Sequence, residues 1–138
     1  MPEIGTNPLL KLYKLWLSLG ACLIVTIVYL SLTARQLDLV SFEISDKVGH
    51  FVAYFSLMAW FGQIYTRKYP QILLAIGFSV MGAILEGFQF LGGHRMFEYR
   101  DMMANITGVI IGWGFTRYTM SGVLLKIDMN LVKALKLQ

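Results

Sequence analysis

Apolar residues along this chain fall into four long runs separated by short polar segments. The runs cover roughly residues 15–32, 48–65, 72–91 and 102–120, and the first contains no charged side chain. At 1.5 Å per residue, each run approaches the ~30 Å of hydrocarbon that a membrane-crossing helix must cover. The pattern therefore predicts an all-α membrane protein, a four-transmembrane-helix bundle in which short connections make neighbouring helices antiparallel. Arg67, Lys68 and Pro70 interrupt the pattern after the second run and set the third and fourth helices apart as a pair. Beyond Met120, Lys126, Lys133 and Lys136 alternate with leucines, which predicts a short C-terminal interfacial helix within a surface tail at 121–138. One domain over residues 1–138 accommodates all of this.

Lys11 and Lys14 ahead of the first run also resemble the start of a secretory signal. Signal cores extend over only ~7–15 residues, however, and Ser31-Leu32-Thr33-Ala34 is a weak cleavage site, so an uncleaved helix is expected.

Composition supports the membrane class. With 57% hydrophobic and 14% charged residues, the chain has too little polar surface for a soluble globule of 138 residues. Lys11, Lys14, Arg67, Lys68, Arg117, Lys126, Lys133 and Lys136 fall on one side of the predicted bundle, and Arg35, Lys47, Arg95 and Arg100 on the other. The bias places both termini in the cytoplasm by the positive-inside rule, and this topology explains the net charge of +4 without a nucleic-acid partner. The lone Cys22, inside the first run, rules out a disulfide framework and reads as a small apolar side chain.

Polar residues within the runs gather at the opposite, extracytoplasmic end. Asp46, His50 and Tyr54 recur at four-residue spacing and share one helical face, with Lys47 beside them. Ser45 or Asp46 can cap that helix, Asp46 can orient the His50 ring, and Lys47 can reach the headgroup layer. Glu86 and Gln89 share a face near the end of the third run. An ionised carboxylate at that depth costs a few kcal/mol, so Glu86 must be neutral, paired or open to water. Partners are close in sequence, because the turn after Gly92-Gly93 carries Arg95 and Arg100, and the fourth run opens with Asp101 and Asn105. Either arginine folding back would neutralise Glu86. Two stripes of small residues, Ala104, Gly108, Gly112 and Thr116 on the fourth run and Ser79, Ala83 and Gly87 on the third, predict close helix packing.

Taken in order, Asp46-Lys47-x-x-His50-Phe51-x-x-Tyr54, Glu86-x-x-Gln89, and Arg95 through Arg100-Asp101 to Asn105, Gly108 and Gly112 resemble the VanZ-like family of small bacterial membrane proteins. The likeness extends over about residues 45–112. It implies a four-helix domain of the bacterial inner membrane with its polar motif at one face, and a family-level link to teicoplanin resistance.

Three functions compete on these residues. The favoured one is a binding or transport factor whose outward pocket takes an anionic amphiphile or lipid-linked envelope precursor, with Arg95 and Arg100 on the anionic head. Asp46, Lys47, His50, Tyr54, Glu86, Gln89, Asp101 and Asn105 then shape the pocket. The second is an intramembrane hydrolase or transferase using His50 and Glu86 as acid and base, although no serine or cysteine nucleophile stands among the motif residues. The third is a scaffold subunit whose polar layer fixes helix register. No cofactor is expected. A metal held by His50, Glu86, Asp101 and His94 is geometrically conceivable, but these residues have no recognised ligand spacing, and none is assigned.

Overall fold

A computed structural model describes residues 5–33, 43–91, 98–120 and 122–135, with side chains throughout except at 43–46. Five helices follow in chain order: α1 (Tyr13–Thr33), α2 (Glu43–Ile64), α3 (Lys68–Leu91), α4 (Tyr99–Tyr118) and α5 (Val123–Ala134). All four apolar runs are helical. α2 begins at Glu43, upstream of Ser45 and Asp46, so neither residue occupies its N-cap.

The expected four-transmembrane-helix bundle is not what the chain builds. Among the described residues, only α1 and α3 are both long enough and apolar enough to cross a membrane. α2 and α4 have the length, with 22 and 20 residues, but not the composition. Lys47, His50 and Gln63 interrupt α2, while Arg100, Asp101, Asn105, Thr116 and Arg117 interrupt α4. These polar and small residues exist because α2 and α4 pack mainly on each other. On α4 the buried set is Asp101, Asn105, Gly108, Val109, Gly112 and Thr116. The third and fourth helices are thus not the separate pair that Pro70 suggested, since α4 packs most extensively on α2.

Glycine makes the α2–α4 seam possible. A Cβ on Gly108 would lie 2.5 Å from the Phe51 carbonyl oxygen, and one on Gly112 would lie 2.7 Å from that of Phe55. Only hydrogen at these positions lets the two backbones approach so closely. The small-residue stripe expected on α4 therefore does pack against a helix. On α3 the close approach is made instead by Gly82, facing Tyr54 and Asn105, whereas Gly87 has nothing within 4 Å.

α1 and α3 turn most of their apolar surface outward. In their most apolar windows only 17% and 28% of residues are buried inside the fold. Val25, Tyr29, Leu30, Ile76, Val80, Ile84 and Phe88 are all at least half exposed. A core helix of a soluble protein would hide such residues, so these two helices suggest membrane association.

The N-terminal segment, the α2–α3 junction, the end of α4 and α5 meet at one end of the bundle. Thr6 pairs with Tyr65 in an antiparallel bridge, and the Asn7 N–H donates to the Ile64 carbonyl at 2.8 Å. Gln71, 4% exposed, donates through Nε2 to the carbonyls of Gly62 and Tyr65 and accepts from Trp113 Nε1 at 2.8 Å. α5 is no free surface tail. Its Asp128 is fully buried and accepts from the backbone N–H groups of Lys11 and Leu12 and from Trp16 Nε1. A carboxylate from the fifth helix thereby caps the start of the first, where unpaired N–H groups and the helix dipole favour negative charge.

Candidate functional site

The opposite end gathers the chemistry. α2 runs from this end toward the basic one, α3 returns to it, and α4 starts from it. His50, Glu86 and Asp101 are therefore neighbours although 51 positions separate the first from the last. One ligand-capable atom from each, a ring nitrogen and two carboxylate oxygens, lies within 4.8 Å of the others. Glu86 is 1% exposed and Asp101 is fully buried.

Each member has defined support. His50 Nδ1 is 3.1 Å from Asn105 Oδ1. An amide oxygen only accepts, so in this contact the His50 ring nitrogen is the donor. Asn105 is itself 2% exposed and held beside Tyr54 in the space left by Gly82. Glu86 Oε1 accepts the Glu98 backbone N–H at 3.2 Å. Glu86 Oε2 is buried with no hydrogen-bond partner among the described residues. Lys47 Nζ bonds Glu98 Oε2 at 3.0 Å and stands 4.0 Å from Asp101 Oδ1, so it is engaged between two carboxylates and not only turned outward. Glu98 had no role in the sequence reading. Its signal was available, an acid three residues before Asp101, but its partner Lys47 lies 51 positions away.

The expected site is divided by the fold. His50, Tyr54, Glu86, Asp101 and Asn105 form the buried node, and Lys47 joins it at the edge. Arg100 is exposed and does not fold onto Glu86. Gln89 points elsewhere, donating to the Ser31 carbonyl at 2.6 Å and tying α3 to the end of α1. The ring of His50 meets Asn105. The side chain of Asp46, and Arg95 and His94 altogether, lie outside the described residues.

Three carboxylates, those of Glu86, Glu98 and Asp101, stand at this node, with the Lys47 ammonium between Glu98 and Asp101, while Arg100 is exposed at the rim.

No family model, no curated protein and no solved structure matches the chain.

Proposed function

We propose that this chain is a VanZ-like, membrane-associated protein of the bacterial envelope that engages an anionic amphiphile, such as a phospholipid or a lipid-linked envelope precursor. The observation behind the reading is the apolar outer surface of α1 and α3 leading to a charged rim with exposed Arg100. Acyl chains would lie along the apolar helices, and the anionic head would meet Arg100, and Arg95 five residues before it in sequence. On this reading the basic end, with Lys11, Lys14, Arg67, Lys68, Arg117, Lys126 and Lys133, faces the cytoplasm of a bacterial inner membrane and the rim faces outward. An altered susceptibility to teicoplanin on deletion of the protein is the corresponding phenotype.

Native mass spectrometry of the gently solubilised protein tests the reading. The wild type should retain an anionic lipid that Arg100→Ala, or Arg95→Ala combined with Arg100→Ala, loses while still accumulating in the membrane. Equal lipid retention by wild type and double variant rejects it.

One observation favours a second reading, intramembrane acid–base chemistry on a lipid-linked substrate. His50 and Glu86 converge with Asp101, and the Asn105 contact holds the His50 ring. Under this reading His50→Gln abolishes function and Arg100→Ala does not.

A further inference from the structure

The basic end of the bundle holds a cavity of about 370 Å³. The N-terminal segment, the end of α2, the α2–α3 junction, the end of α4 and the start of α5 all contribute to its wall. Its volume lies toward the lower end of the ~300–1,000 Å³ typical of small-molecule sites. Part of the wall is committed to the fold. Gln71 Nε2 spends both hydrogens on the Gly62 and Tyr65 carbonyls, and the Thr116 hydroxyl donates to the Gly112 carbonyl at 2.8 Å. Gly62 permits the tight contact beside them, since a Cβ there would stand 3.0 Å from Thr116 Cγ2.

The rest of the polar lining is rich in donors. Asn7 Oδ1 accepts the Leu9 N–H at 3.1 Å, which leaves the Asn7 amide N–H₂ for a ligand. Gln63 Oε1 accepts the Leu124 N–H and one Nε2 hydrogen goes to the Ala59 carbonyl, so the second is uncommitted. The Thr66 hydroxyl and the Arg117 guanidinium bond to nothing among the described residues. Arg117 supplies the positive charge of the lining, and no described acid shares the wall with it. Asp128, the acid of α5, is turned instead to Lys11, Leu12 and Trp16. Arg67 and Lys68 follow Thr66, and Lys126 follows Leu125, all three exposed, so the approach to the cavity is positive as well.

Neutral donors around a guanidinium, with no acid among them, are the complement of an oxyanion. The donors come from the N-terminal segment, α2, the α2–α3 junction and α4, and so surround the cavity instead of lining one edge of it. A planar carboxylate takes its hydrogen bonds largely in one plane, whereas a phosphate presents oxygens in tetrahedral directions and also meets an arginine fork with two of them. We propose that this cavity binds a phosphate group, carried by a lipid headgroup or by a small soluble molecule, with Arg117 as its anchor and Asn7, Gln63 and Thr66 as supporting donors. The site does not depend on the amphiphile reading, whose Arg100 belongs to the opposite end of the bundle.

Trp113 reports on the cavity, because its indole N–H donates to Gln71 Oε1 in the wall. The test follows the tryptophan indole N–H signals of the full chain by nuclear magnetic resonance, in non-ionic detergent at constant ionic strength. Trp113→Phe assigns the signal. Glycerol phosphate and short-chain phosphatidylglycerol are the phosphate probes, and sodium chloride and the matching phosphate-free diacylglycerol are the controls. At least one phosphate probe, and neither control, should move the Trp113 signal saturably below about 10 mM. Saturation by glycerol phosphate shows that a soluble ligand suffices, and saturation by phosphatidylglycerol alone assigns a lipid headgroup. Arg117→Gln should weaken the response at least about tenfold, the loss of a charge-assisted pair. Asn7→Asp keeps the acceptor for Leu9 but replaces a donor with negative charge, and should weaken it too. Lys133→Gln, a lost charge outside the lining, should respond like wild type, and so should Arg100→Ala whatever happens to its lipid, which separates this site from the amphiphile reading. Unmoved Trp16 and Trp60 signals in each unliganded variant establish that it is folded. A wild-type Trp113 signal that answers the phosphate probes no better than the controls overturns the assignment without needing any variant. A folded Arg117→Gln that binds like wild type, or an equal loss in Lys133→Gln, overturns it as well.

Discussion

Asp128→Ala should loosen both ends of the chain at once, because a single buried carboxylate joins them. Its Oδ1 accepts from Trp16 Nε1 at 2.7 Å and from the Leu12 N–H at 3.0 Å, and its Oδ2 accepts from the Lys11 N–H at 2.9 Å. Truncation leaves three donors without their acceptor. The indole N–H is buried and forfeits a full partner, about 1–3 kcal/mol, whereas the two backbone groups are only part-buried and recover some of the loss by meeting water. Allowing about 0.5–1 kcal/mol for each of those, the destabilisation comes to about 3 kcal/mol. At roughly 3 °C per kcal/mol for a chain of this size, Tm should fall by about 10 °C. Asp128→Asn should be milder, because it keeps Oδ1 for Trp16 and Leu12 and loses only the bond from the Lys11 N–H, which its amide N–H₂ cannot accept. Thermal unfolding in one fixed detergent, followed by near-ultraviolet circular dichroism, reads the difference. Asn130→Ala, exposed on the same helix, is the reference and should stay within about 0.5 kcal/mol of wild type. A double-mutant cycle with Trp16→Phe should give a coupling of about 1–2 kcal/mol. If Asp128→Ala behaves like Asn130→Ala, or the coupling vanishes, α5 is not anchored through this carboxylate and the account of how the termini meet is wrong.

Gly108→Ala places a Cβ 2.5 Å from the Phe51 carbonyl and should destabilise by ~1–3 kcal/mol, while Gly114→Ala, with open space at its Cβ, should be neutral or stabilise by up to about 1 kcal/mol. Equal melting temperatures for the two would show that the α2–α4 seam is looser than described. Gln71→Leu strands the Gly62 and Tyr65 carbonyls and the Trp113 indole and should cost roughly 3 kcal/mol, partly matched by Trp113→Phe; additive effects in the double variant would contradict the shared bond. Cys22 is exposed on α1, so a charged, impermeant maleimide should leave it unlabelled in intact proteoliposomes and label it after detergent solubilisation; rapid labelling before solubilisation would take α1 out of the hydrocarbon.

Helix positions were legible in the hydrophobic pattern because helix formation needs only local continuity and a suitable run of side chains. Residues 15–32, 72–91 and 102–120 each coincide closely with a helix, and 48–65 lacks only the earlier start of α2 at Glu43. Membrane-crossing character did not follow from the same pattern. α2 and α4 alternate apolar residues with polar and small ones, and a run judged by length cannot distinguish a helix that meets lipid from one whose polar side is consumed by a partner. Gly108 and Gly112 advertised that partner, and the fold identifies it as α2.

The site divides along the same line. Spacing alone put Asp46, His50 and Tyr54 on one helical face, and Glu86 with Gln89 on another, because side chains three and four apart share a helix face by geometry. Which faces meet is a non-local matter, decided by where glycine permits close approach. Packing sent Gln89 to the Ser31 carbonyl, brought Asn105 to His50, and left Arg100 exposed. It also tied Lys47 to Glu98 and Asp128 to the first helix, contacts of 51 and 112 or more positions that no periodicity encodes. The sequence by itself determined the helices and the unusual presence of acids and a histidine at their ends. Only the tertiary structure decided that three of those groups share one buried node, because their meeting depends on distances between helices that chain order does not contain.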